Sequence, residues 1–119
     1  MLTSLLAAAL AVQAAPSNPA SMSNPITQEN RALLRCAAAF AVVSSAQAKG
    51  DAQALQWPDL GTRGREFFVR AMAQLMDASG IDREGIARLA SAEARTLSDN
   101  SEVGQIMPSC LLMLESSGI

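Results

Sequence analysis

"MPSCLLML", residues 107–114, sets a cysteine two positions after a proline and inside an apolar run. Read backwards to Val103, the apolar residues Val103, Ile106, Met107, Cys110, Leu111 and Leu114 fall at offsets 0, 3, 4, 7, 8 and 11. That spacing is one face of an α-helix. Pro108 removes one backbone donor and presses on the carbonyl of Gly104. The stripe keeps its phase across the proline, so one kinked helix is expected rather than two. Cys110 then points inward.

A second cysteine lies in "RCAAAFAVV", residues 35–43. Thr27 is placed to cap a helix there, with Glu29 in the first turn where negative charge complements the helix dipole. Lys49 suits the C-terminal end, and Gly50 suits the left-handed position just beyond it. Leu33, Cys36, Ala37, Phe40 and Val43 form the expected buried stripe, with Arg31, Arg35, Ser45 and Lys49 opposite. This strongly apolar helix is expected to be the central one. Cys36 and Cys110 therefore face one interior from the first and last helices.

The N-terminal residues bear on the compartment. "MLTSLLAAALAVQAA" carries an uncharged apolar stretch, Leu5 to Val12, and Val12-Gln13-Ala14 fits the small-x-small cleavage rule of a secretory signal. Its n-region has no Lys or Arg, only the amino group of Met1. The stretch falls short of the about 20 apolar residues that span a bilayer. "PSNPASMSNP", residues 16–25, has three prolines and reads as an extended or disordered spacer. The expected organisation is a signal peptide at 1–14, a spacer at 15–26 and a helical domain at 27–116. In an oxidising compartment, two cysteines most simply form one disulfide. Closing residues 36 to 110 into a loop is worth roughly 4–5 kcal/mol in the chain-entropy treatment.

The other reading of Cys110 is a reactive thiol. A helix restarting at Pro108 would place it in a first turn, where thiol pKa falls. Met107 would then be the cap, a poor one. No Cys-x-x-Cys accompanies it.

Between the cysteine helices, "DAQALQWPDLG" reads as a connector in which Asp51 caps a short turn ending at Trp57, before Pro58. A second helix is expected from near Thr62 to about Ser79, with Phe68, Ala71, Met72, Leu75 and Met76 inward and Gly80 as its stop. Adjacent Phe67 and Phe68 cannot both face one core, and Phe67 is expected to be partly exposed. Asp82 caps a third helix whose flanking Ile81 and Ile86 form a hydrophobic staple. Its stripe is Ile86, Leu89, Ala90, Ala94 and Leu97. "SDNS", residues 98–101, is read as a polar loop with the last helix capped by Ser98 or Asn100. The fold class is all-α: a small four-helix bundle with one disulfide.

Composition narrows the chemistry. The chain has 119 residues, room for one domain. It is 50% apolar, yet aromatics make up only 3%, so the core is built largely of alanine and disfavours a sandwich. It has no histidine, which removes the usual general base and the usual zinc nitrogen ligand. A net charge of −2 offers no excess to neutralise phosphates, so no nucleic-acid partner is expected. Met72 and Met76, four apart, read as core fillers in preference to a thioether Cu(I) site. No metal or cofactor is expected.

The signal-like start, "RCAAAFAVV" and "MPSCLLML" together resemble short exported two-cysteine helical proteins of Gram-negative bacteria. The likeness covers residues 31–114 and implies periplasmic residence without a catalytic motif. A looser likeness, in size, helicity and cysteine number, is to small disulfide-linked acid-stress chaperones of the periplasm, whose cysteine spacing differs. The function expected is non-enzymatic, binding or structural, with a protein or small apolar ligand as partner. The alternatives are an acid-stress chaperone and a thiol-dependent redox protein using Cys110. Phe67, Phe68, Arg63 and Arg65 are the candidate binding surface, with the Phe67, Phe68, Met72 and Met76 neighbourhood as the candidate groove.

Overall fold

The computed structural model describes residues 26–119. The signal-peptide and most of the spacer assignments lie outside them. Four helices follow in order: α1 (Gln28–Ala48), α2 (Arg63–Ser79), α3 (Arg83–Asp99) and α4 (Val103–Ser116). A single 3₁₀ turn, Ala54–Gln56, interrupts the α1–α2 connector. No strand occurs among the described residues.

Helix α1 is the hub, packing against α2, α3 and α4, while α2 also packs on α3. Its sequence explains why. Cys36, Ala37, Ala38, Ala39 and Phe40 are consecutive and all buried, so the helix is enclosed on several sides at mid-length. Three alanines in a row let neighbouring backbones approach from different directions. Leu34, not Leu33, is the fully buried leucine; Leu33 is half-buried. Thr27 caps α1 by accepting the Asn30 N–H at 3.2 Å. Gly50 and Gly80 both take left-handed conformations after α1 and α2, with φ of +78° and +73°.

The disulfide joins Cys36 of α1 to Cys110 of α4 with the Cα atoms 5.1 Å apart. Both cysteines are buried. Helix α4 runs unbroken through Pro108, so Cys110 lies beyond its second turn and not at a helix start. That placement removes the dipole argument for a reactive thiol.

Phe67 makes the aromatic contact between α2 and α1, and Gly64, one turn earlier, accommodates Leu60. A Cβ on Gly64 would lie only 3.0 Å from Leu60 Cβ, so glycine avoids a shift there, while the 3.6 Å it would keep from Phe40 Cβ is ordinary contact. One turn on, Phe67 meets Phe40 edge-to-face, with ring centroids 5.0 Å apart. Phe67 is thus 4% exposed, and the expectation that it would be partly exposed is corrected. The inward row is Gly64, Phe67, Ala71 and Leu75, whereas Phe68 is half-buried at its edge. Both phenylalanines fit an i, i+4 row.

Helices α2 and α3 are joined through Gly80, Ile81 and Asp82. The Asp82 carboxylate accepts the Gly85 N–H at 2.7 Å, and Ile81 packs on the core beside the fully buried Ile86. At the other end, α3 extends through Asp99 and absorbs the first two residues of the expected loop. Neither Ser98 nor Asn100 caps α4. Glu102 holds that position without a side-chain bond to the helix, because its carboxylate accepts from Arg35 at 2.9 Å. Ile26 is buried ahead of α1, and the carbonyl of Ile119 accepts from Arg63, so the ordered packing reaches slightly past both expected limits.

Two polar side chains organise the bundle. Arg35 lies 2.9 Å from Glu102 and 3.1 Å from Glu93, so one guanidinium faces carboxylates from α3 and from the start of α4. The Glu93 contact is off the N–H axis and acts as an ion pair without an aligned hydrogen bond. Gln47 holds the connector: its amide N–H₂ faces the carbonyls of Ala54, Trp57 and Pro58, and its oxygen accepts the Leu60 N–H. The 3₁₀ turn is capped as expected by Asp51, which accepts from the N–H groups of Gln53 and Ala54.

With small domains stable by only about 5–15 kcal/mol, the staple's share is large. Cys36→Ser with Cys110→Ser is expected to lower unfolding free energy by about 4 kcal/mol, read from urea denaturation followed by circular dichroism. Loss of less than about 1 kcal/mol would mean that the helices hold together without it.

Candidate functional site

Alanine on a helix face buries backbone without filling space, and the consequence shows where α1, α2 and α3 meet. A 480 Å³ groove opens there, lined almost wholly by carbon. Its α2 wall is Phe68, Val69, Met72 and Met76; its α3 wall is Ile86 and Ala90. Ala41, Ala73, Ala87 and Ala94 also line it, and their short side chains leave the channel open. Val69, on the rim, is 61% exposed. Arg83 and Ser91 are the only polar lining residues.

Other hollows are less suited to an apolar ligand. One of 650 Å³ continues past Ala41 and Ala94 but opens onto Lys49 and Asp51. Another of 780 Å³ beside Trp57 is lined by Asp51, Gln53, Gln56, Ser98 and Ser101 among apolar neighbours. Ligand sites combine a mostly apolar lining with a few polar groups, and the α1–α2–α3 groove fits that description best.

Of the residues singled out from sequence, Phe68, Met72 and Met76 come together in the groove, and Phe67, Arg63 and Arg65 do not join them. Phe68 lines the groove, while Phe67 lies beneath it in the core. Arg63 turns to the other end of the chain, where it pairs with Glu115 at 3.1 Å and donates to the Ile119 carbonyl at 2.8 Å. Arg65 is exposed and borders a separate shallow hollow with Glu66, Val69 and Arg70. Residues 63 and 65 are about 200° apart around a helix, so no two-arginine patch forms. The alanines of α3 and Arg83 were not among the sequence candidates. Their signal was the repeated Ala87, Ala90, Ala94 spacing, which reads equally as ordinary close helix packing.

Chemistry at the sulfurs is limited by geometry. Cys110 is 1% exposed and bonded to Cys36, and no free cysteine exists among the described residues. Thiol–disulfide exchange needs an attacking thiolate to reach a sulfur, and both are covered. Met72 and Met107 are buried among apolar neighbours, and the described residues hold no cluster of three or more His, Cys, Asp or Glu. No family model matches this chain, and neither curated proteins nor solved structures give a match.

The two phenylalanines separate core from groove experimentally. In urea denaturation, Phe67→Ala is expected to cost about 3–5 kcal/mol. Phe68→Ala, half-buried at the rim, is expected to cost less than about half of that. Equal losses would place both rings in the core.

Proposed function

We propose that the mature domain is exported to the periplasm and acts there as a non-catalytic binding module that takes an apolar ligand in the α1–α2–α3 groove. The observation that carries this reading is the groove itself: a channel walled by Phe68, Met72, Met76 and Ile86, left open by alanines in a bundle short of large side chains. The buried disulfide is compatible with an oxidising compartment. Among the described residues, no helix is long and apolar enough to cross a membrane.

The test is a titration of the oxidised domain with N-phenyl-1-naphthylamine, a neutral dye that fluoresces in apolar sites. Saturable binding is expected, with at least about a tenfold loss in Ala87→Arg, since a charge in an apolar channel is costly to desolvate. Ala87 is exposed, so folding should survive the change. Arg65→Gln should leave binding unchanged. Dye binding that ignores Ala87→Arg would place the ligand elsewhere.

Arg35 favours a second reading, an acid-responsive chaperone-like role. Acid that protonates Glu93 and Glu102 leaves this part-buried cation without counter-charge, and α3, one wall of the groove, loses a tie to α1. Full protonation leaves nine cationic side chains against no carboxylate. Their repulsion expands the bundle and exposes apolar surface. A rise in ANS fluorescence at about pH 2.5 is the expected result; unchanged dye binding at that pH removes this reading.

A further inference from the structure

The groove is electrically one-ended. Arg83 stands at the end where α2 and α3 are joined, alongside Met76. Phe68, Val69, Ala41 and Ala94 line the opposite end and carry no charge. Arg35, Arg63 and Arg70 each pair with a carboxylate, whereas Arg83 forms no ion pair among the described residues. The nearest acids in sequence do not occupy it. Asp82 spends its carboxylate on the Gly85 N–H, and neither Asp82 nor Glu84 lines the groove.

We propose that the groove binds a free fatty acid, with the carboxylate at Arg83 and the acyl chain running between α2 and α3 toward Ala41. The inference rests on the groove being a ligand site and adds the class of ligand. Three features favour it. From Arg83 to Ala94, α3 rises about 16 Å, and 480 Å³ spread over that length leaves a channel about threefold smaller in section than an α-helix. A single acyl chain fits that section. An extended peptide would need partners for its amides, and Ser91 and Arg83 alone cannot supply them. The flexible thioethers of Met72 and Met76 can follow chains of different length and bend.

The probes are cis-parinaric acid and its methyl ester, titrated into the oxidised domain as wild type, Arg83→Gln and Ala87→Arg. The wild type is expected to prefer the acid about fivefold, the upper range for a solvent-exposed charge pair. Arg83→Gln should abolish that preference while leaving ester affinity in place, and Ala87→Arg should weaken both probes. High salt should reduce the acid's advantage and leave the ester alone. Equal wild-type affinities, or a preference that survives Arg83→Gln, overturn the fatty-acid assignment and leave an apolar-ligand groove standing. Failure of both probes together with N-phenyl-1-naphthylamine overturns the groove reading as well. Concentration-dependent dimerisation in sedimentation that Ala87→Arg abolishes, with no acid bound, gives the groove to a second copy and overturns the proposal.

Discussion

The bond between Cys36 and Cys110 is the constraint on which this fold depends. It links helices that begin 75 residues apart in sequence (103 − 28) and fixes the last against the first at mid-length. Noncovalent packing alone offers modest compensation for ordering so many residues, because each buried alanine removes little surface from water. Large buried side chains, among them Phe40, Phe67, Leu60, Leu75, Ile86, Leu97, Met107 and Leu114, form one core on and around the hub helix. Covalent closure and one central helix thus solve the same problem from two directions.

Alanine has a double effect here. On α1 it permits close approach by three partners; on α2 and α3 it leaves a furrow. The compositional bias that makes the core thin therefore also makes the ligand groove. Phe67 adds bulk where it is scarce, packing edge-to-face on Phe40 of α1. Polar side chains supply what small apolar ones cannot. Arg35 links three helices, and Gln47 satisfies backbone groups of the connector that would otherwise need solvent.

Much of this was legible in the residues. Helical periodicity placed all four helices, the caps at Thr27 and Asp82 marked starts, and the inward cysteines predicted their own pairing. What escaped was long-range or sterically silent. Arg35 looked like a solvated surface charge because its partners, Glu93 and Glu102, lie far along the chain. Gln47 gave no signal, since nothing local distinguishes a glutamine that reaches four backbone groups from one in water. Phe67 and Phe68 were exchanged because both fit an i, i+4 row and hydropathy does not choose between adjacent phenylalanines. Arg63 and Arg65, neighbours in sequence, separated as soon as they were placed on a helix. For the groove, its α2 wall of Phe68, Met72 and Met76 was anticipated, while the α3 side was not, because concavity is a property of three helices together.

Pairing α4 with α1 also divides the molecule's freedom. Cys110 lies in the middle turns of α4, so this helix cannot slide a turn along its neighbour or swing away while the sulfurs are joined. The α2–α3 hairpin has no such tether. It is attached by packing, by Arg63 at its entry and by the Arg35–Glu93 contact. Among the described helices, the hairpin is accordingly the pair without covalent restraint to α1, and its displacement would change the width of the channel beside Ala41.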